Sequence, residues 1–169
     1  DVAFACAGGY PKDVSLYQGC KCYDPSDVVT KEGGIIIAIM EASDIYEPPA
    51  YMGSFKYDTE DEVVVGNTQP TLQGTWLDTE EEMEKPLRHH FTIPFFVAFN
   101  LFCMTHKYHI ILVTKPENFE AIKKTNQTPV ATVEEAWQLA QKILKDQGKD
   151  DYTITIMPHC AAIVPYLKD

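Results

Sequence analysis

The stretch VAFACAGGYPKDVSLYQGCK, residues 2–21, places an apolar run, a glycine pair and a helix start next to one another. The apolar run over residues 2–7 is typical of a buried strand. Gly8 and Gly9 predict its end, because glycine adopts the positive φ angles that a tight turn needs. Asp13 can accept hydrogen bonds from first-turn amides, so we predict that it caps a helix beginning near Val14. The stretch therefore predicts a strand, a glycine turn and a helix in that order.

The helix after this turn has two faces of different chemistry, since successive residues are rotated by about 100°. The apolar stripe consists of Leu16, Cys20 and Tyr23, and the polar one of Tyr17, Gln18 and Lys21. The polar stripe has two interpretations. It is a solvated helix face, as most such faces are, or it is a site for a carboxylate or phosphate, because a lysine charge beside a glycine turn and a helix N-terminus favours anions.

Strand and helix signals alternate through the rest of the chain, which predicts an α/β fold with a mostly parallel sheet and helices on both faces, a Rossmann-like three-layer sandwich. Strands are expected at 35–40, 110–114 and 152–157. Helices are expected at 80–90, 94–106 and 116–124, and from the capping box of Thr132 and Glu135 to a stop at Gly148. Residues 43–74 are rich in proline and glycine and predict an irregular insertion with a short strand at 63–65, acting as a lid, an interface or a surface loop.

Composition limits the classes of partner. The 169 residues are enough for one domain, and a formal charge of −11 disfavours nucleic acid and anionic membranes. Apolar stretches are shorter than the roughly 20 residues of a membrane span, and the chain starts directly with strand residues, so no signal peptide is expected. The odd number of cysteines, five, favours a reducing cytoplasm.

Metal ligation is not predicted for the three cysteine or histidine pairs that suggest it. Cys20 and Cys22 point about 200° apart on a helix, so one ion could not easily join them. His106 and His109 fall at the predicted boundary between a helix and a strand, and His89-His90 has no convincing set of further metal ligands. We interpret the cysteines as small apolar packing groups and the histidines as surface or boundary residues.

The string AGGYPKDVSLYQGCK at residues 7–21 resembles the start of the C-terminal domain of the nickel-dependent lactate racemase family. The later Lys31-Glu32-Gly33-Gly34 and Met157-Pro158-His159 are similar to further motifs of that family. The resemblance implies that Tyr17, Gln18 and Lys21 help to hold a 2-hydroxy acid in a cleft between two domains, with Lys21 on its carboxylate. Phe96 falls where lactate racemases carry a pocket tryptophan, which implies a different 2-hydroxy acid.

The same resemblance implies which role each of the two domains has in the whole protein. A racemase or epimerase of this family passes the substrate hydrogen as hydride to a nickel-pincer nucleotide, which the N-terminal domain holds together with the acid and base histidines. We therefore expect residues 1–169 to be one C-terminal domain without catalytic, cofactor or metal residues of its own, inactive in isolation, and partnered by the N-terminal domain and a small 2-hydroxy acid. Unlike the family helix, the helix here is expected to break early, at Pro25.

Two other classes of function remain open. One is a non-catalytic α/β module that binds an anionic small molecule at Gly8-Gly9 and the following helix. The other is a structural or interaction domain with 43–74 as its contact segment. Dinucleotide binding is not predicted, because GGYPKD does not match G-x-G-x-x-G.

Overall fold

A parallel sheet organises the chain in the computed structural model, which describes residues 1–45, 47, 57–58, 62–63, 84, 88, 91 and 93–166. Its strands are β1 (Val2–Cys6), β2 (Ile35–Ile39), β5 (His109–Val113), β6 (Thr128–Val130) and β7 (Ile154–Met157); β3 (Tyr57–Asp58) and β4 (Glu62–Val63) form a separate antiparallel pair. The five strands are in the order β6-β5-β2-β1-β7, and every pairing is parallel. The predicted α/β class with a parallel sheet is confirmed.

The helices connect these strands. They are α1 (Leu16–Gly19), α2 (Tyr23–Val29), α3 (Ile93–Lys107), α4 (Phe119–Lys123) and α5 (Val133–Asp146), with 3₁₀ turns at Cys20–Cys22, Pro116–Asn118 and Cys160–Ala162. Thr132 caps α5 in a complete capping box with Glu135, as the sequence predicts. No helix in the described ranges is long and apolar enough to cross a membrane.

Two apolar cores lie on opposite faces of the sheet, because side chains alternate along each strand. On β2, Ile36 and Ala38 belong to the core under α1, α2, α3 and α4, whereas Ile35 and Ile37 belong to the core under α5. A strand buried on both faces reads as a continuous apolar run, which explains why residues 35–40 were recognisable from sequence. The layers are therefore helices, sheet and helix.

The structure corrects the predicted start of the first helix. Its N-cap is Ser15, whose hydroxyl accepts from the Gln18 amide at 3.2 Å, and the helix begins at Leu16. Asp13 instead faces the segment after β2: its carboxylate accepts from the Glu41 amide at 3.4 Å and its carbonyl from the Ala42 amide at 2.8 Å. Asp13, which its helix-capping propensity suggested as the N-cap, therefore makes tertiary hydrogen bonds instead.

The α-helix is interrupted early, as predicted, but by a 3₁₀ turn before Pro25 and not at Pro25 itself. Helical structure continues from α1 through the 3₁₀ turn into α2, and Pro25 lies in the first turn of α2. A proline in a first turn lacks only an N–H that would have no partner within the helix, so it is tolerated there. With Pro25 in its first turn, α2 continues to Val29.

Other predictions differ in detail. The sequence missed β6, a three-residue edge strand that contains Pro129. The predicted insertion at 43–74 and helix at 80–90 lie largely outside the described residues. Within them, Val63 ends β4, and Glu84 and Arg88 are helical and form an ion pair at 2.7 Å.

Candidate functional site

The glycine turn lies at the carboxyl edge of the sheet, where β1 and β7 end side by side. Gly8 and Gly9 have φ angles of 104° and 75°, which only glycine adopts without strain. A Cβ added at Gly8 would lie 3.6 Å from Cδ of Lys12 and 3.7 Å from Nδ1 of His159. Lys12 and His159 therefore both lie beside the turn, at the sheet edge that generally binds ligands in α/β folds.

The short α1 and its 3₁₀ continuation present the predicted polar residues. Lys21 donates from Nζ to Oε1 of Gln18 at 2.6 Å, one turn back along the chain. An ammonium has three donors, so this bond fixes the position of the group and leaves two protons to offer to an anion. Leu16, Cys20 and Tyr23 are buried, as the apolar stripe predicts.

A cavity of about 240 Å³ opens between this segment and α3. One wall consists of Tyr17, Cys20, Lys21, Tyr23 and Asp24, and the other of Ile93, Val97, Asn100, Leu101 and Met104. The second wall is mostly apolar, and Lys21 is exposed to solvent on the opposite wall. Lys21 and Tyr17 share this cavity, while Gln18 reaches it through Lys21.

The Cys20 thiol, which lines the cavity, is not a nucleophile. Burial raises the pKa of the Cys20 thiol to about 12, with the Asp24 charge adding to the effect. The reactive form of cysteine is the thiolate, which is scarce at this site near neutral pH. The cavity is therefore suited to binding rather than to covalent catalysis through Cys20.

Stability should fall in alkaline solution because of this buried group. A thiol whose pKa is raised in the folded state binds its proton more tightly there, so its contribution is present below the ordinary pKa of 9.0 and is lost as the pH rises above it. We expect Cys20 to account for a loss of about 2 kcal/mol between about pH 8 and about pH 10.5. Urea unfolding of the wild type and Cys20→Ala at both pH values measures it; an equal fall in both proteins would contradict the assignment.

Phe96, the predicted pocket residue, lies outside this lining. It is on α3, its side chain is 42% exposed, and its ring centroid is 5.9 Å from that of Phe91. The cavity receives the neighbouring Val97 instead. A role for Phe96 in substrate selection stays a prediction.

The histidine pair occupies the boundary that the sequence indicates. His106 is in the last turn of α3, with Nδ1 3.0 Å from the Phe102 carbonyl oxygen, and His109 begins β5. His89 and His90 lie outside the described residues. Among the residues that are described, no three metal-ligating side chains group together in a way that could hold an ion.

Comparison with known proteins identifies the family of this domain. The family model of the lactate racemase C-terminal domain matches residues 1–164. The chain belongs to this family. It is 24% identical over 164 residues to a curated lactate racemase of Thermoanaerobacterium thermosaccharolyticum, covering 97% of this chain and 34% of the relative.

The fold agrees with the membership. The solved structure of the lactate racemase apoprotein from Thermoanaerobacterium thermosaccharolyticum superposes with a TM-score of 0.75 at 23% identity, over 97% of this chain and 35% of that one. At this identity the likeness shows the fold alone. The chain spans about a third of the length of these lactate racemases.

Sequence reasoning missed four residues that the fold brings to the site region. Lys12 and His159 each lie next to Gly8, and Asp24 and Asn100 line the cavity. Lys12 and His159 carried a signal, because each follows a predicted strand by a few residues and parallel strands end at one edge. Asn100 carried none, since its position depends on how α3 packs.

Proposed function

We propose that this lactate racemase C-terminal domain is the substrate-holding part of a racemase or epimerase that acts on a 2-hydroxy acid. The observation that carries the proposal is the Lys21 ammonium, fixed by Gln18 at 2.6 Å beside a largely apolar cavity. A carboxylate is common to all 2-hydroxy acids, and an ammonium with two free donors can bind it through charge-assisted hydrogen bonds.

Within this proposal each side chain has a task that its position allows. Lys21 binds the substrate carboxylate, and the Tyr17 phenol, on the same wall, hydrogen-bonds the substrate head. The apolar side chains of α3 exclude water from the bound acid. Such fixation lowers the entropic barrier to a reaction at C2, because the reacting carbon is already oriented towards whatever faces the cavity.

The reacting group is proposed to face the cavity from a separate N-terminal domain. That domain is also proposed to hold the nickel-pincer nucleotide that the family resemblance implies. The longer lactate racemases that the chain matches have room for another domain. When bound there, the cofactor would supply a hydride acceptor for the C2 hydrogen.

The cellular setting follows from the cysteines. All five are free thiols, three of them buried. Such thiols persist in a reducing compartment. We propose a cytoplasmic location.

Full-length protein, produced with its nickel cofactor, should interconvert the enantiomers of a 2-hydroxy acid, whereas residues 1–169 alone should not. Chiral chromatography of lactate and longer 2-hydroxy acids measures this. The matched control is the isolated domain mixed with the same nickel cofactor. Racemisation by that mixture would overturn the division of labour. No conversion by the full-length protein would favour a non-catalytic anion-binding module.

A further inference from the structure

The chain that leaves β2, here called segment 40–44, is hydrogen-bonded to the residues that precede the site helix α1. The Ala42 amide donates to the Asp13 carbonyl oxygen at 2.8 Å. The Asp44 amide donates to the Val14 carbonyl oxygen at 2.7 Å. Segment 40–44 therefore fixes the backbone just before the N-cap of α1.

The other end of α1 packs against the same segment. A Cβ added at Gly19, the last residue of α1, would lie 2.5 Å from Sδ of Met40, and Met40 is buried. Such a distance is too short for two atoms in contact, so the helix approaches the segment as closely as a glycine allows. Gly19 lies between Gln18 and Lys21 in the chain. The position of the predicted polar residues thus depends on where segment 40–44 lies.

A strained backbone position lies in the middle of this segment. Ala42 has a φ angle of 50°, in the left-handed region that non-glycine residues rarely adopt. A residue stays in this region only where the surrounding structure enforces it. Nδ2 of Asn118 donates to the Ala42 carbonyl oxygen at 3.0 Å and to the Glu41 carbonyl oxygen at 3.2 Å. The Thr114 hydroxyl, 3.2 Å from the same Nδ2, also donates to the Glu41 carbonyl oxygen, at 3.0 Å.

The Asn118 side chain is 5% exposed and belongs to the 3₁₀ turn after β5, seventy-six residues from Ala42 in the chain. A buried amide is costly unless its donors are paired, and here they are paired with backbone carbonyls of a distant, strained segment. Asn118 is not among the described residues that line the cavity of Lys21. Any effect of Asn118 on the site must therefore pass through segment 40–44.

We infer that Asn118 is a positioning residue of the substrate site: it holds segment 40–44, and the segment sets the position of α1 and hence of Lys21. The inference rests on the proposed function and adds a residue that acts on it from outside the cavity. A shift of α1 moves the ammonium relative to the opposite wall, and a small misplacement of a binding group is enough to weaken its hold on the substrate.

Asn118→Ala in the full-length, cofactor-loaded protein tests the inference, because it removes both donors. KM for the 2-hydroxy acid should rise by about tenfold while kcat changes less, since Lys21 contacts the carboxylate before and during the reaction. Hydrogen exchange gives a second readout that needs no turnover. The Gln18 and Gly19 amides, which donate to Ser15, should exchange about tenfold faster in the variant.

Two further variants separate positioning from a general loss of stability. Ala42→Gly should restore most of the KM of Asn118→Ala, because glycine adopts the left-handed conformation without the support of Asn118. Leu144→Ala is the matched control: Leu144 is fully buried under α5, on the opposite face of the sheet. It should lower the melting temperature of the full-length protein and leave KM unchanged.

The outcomes that contradict the inference are distinct from those that contradict the proposed function. An unchanged KM or unchanged exchange in Asn118→Ala, a failure of Ala42→Gly to restore KM, or an equal rise of KM in Leu144→Ala would overturn the inference alone. Absence of turnover by the wild type with any 2-hydroxy acid would overturn the proposed function and the inference with it.

Discussion

Replacing Lys21 with alanine in the full-length protein should lower kcat/KM for its 2-hydroxy acid by about a hundredfold or more, because a charged hydrogen bond to the substrate carboxylate is lost. Among the described lining residues Lys21 is the only cation, so none of the others can replace its ammonium. The loss should come with unchanged loading of the nickel cofactor, which is proposed to reside on the other domain. Steady-state kinetics and nickel content per protein measure the two effects separately.

Lys123→Ala is the closest control for Lys21→Ala. Lys123 also donates to the residue three positions earlier, here Oε1 of Glu120 at 2.7 Å, yet it lies on α4 away from the cavity lining. It should retain wild-type kinetics. Wild-type turnover by Lys21→Ala would remove Lys21 from the site, whereas a loss of nickel in that variant would mean that it supports the cofactor instead of the substrate.

The sheet was largely predictable because its signals are local. Residues 35–40 are apolar at every position, as a strand buried on both faces requires, and the capping box at Thr132 predicts α5 to within a residue. The cap at Ser15 was not predictable in the same way. Asp13 and Ser15 are both good caps, and hydrogen bonds from Glu41 and Ala42, distant in sequence, decide between them.

The site was predictable only on one side. The helical spacing places Tyr17, Gln18 and Lys21 on one face, and the resemblance to the lactate racemase family, not the spacing, implies that they bind substrate. The opposite wall comes from α3, more than seventy residues later in the chain. A helix that is apolar around most of its surface does not indicate which residues face a cavity, so its pattern did not reveal Val97 and Asn100, and Phe96 was predicted from the family resemblance alone.

Phe102→Ala should lower the free energy of unfolding of this domain by about 3–5 kcal/mol, among the largest effects of any single core substitution. The Phe102 side chain is fully buried in the core under α3, and its ring centroid is 4.5 Å from that of His106. Alanine leaves a void that the surrounding sheet and helices fill only in part. Urea unfolding of residues 1–169, followed by circular dichroism, measures the change.

The same helix supplies the control, since Phe96→Ala removes an equal volume from a position that is 42% exposed. It should cost less than about 1 kcal/mol, because most of the ring already contacts water. A similar loss in both variants would contradict the assignment of Phe102 as the anchor of α3.

Because α3 also carries Val97 and Asn100, a loosened α3 in Phe102→Ala should weaken substrate binding in the full-length protein even though Phe102 itself lies outside the cavity lining. Stability and substrate affinity are therefore expected to fall together in this variant, whereas in Lys21→Ala affinity falls alone.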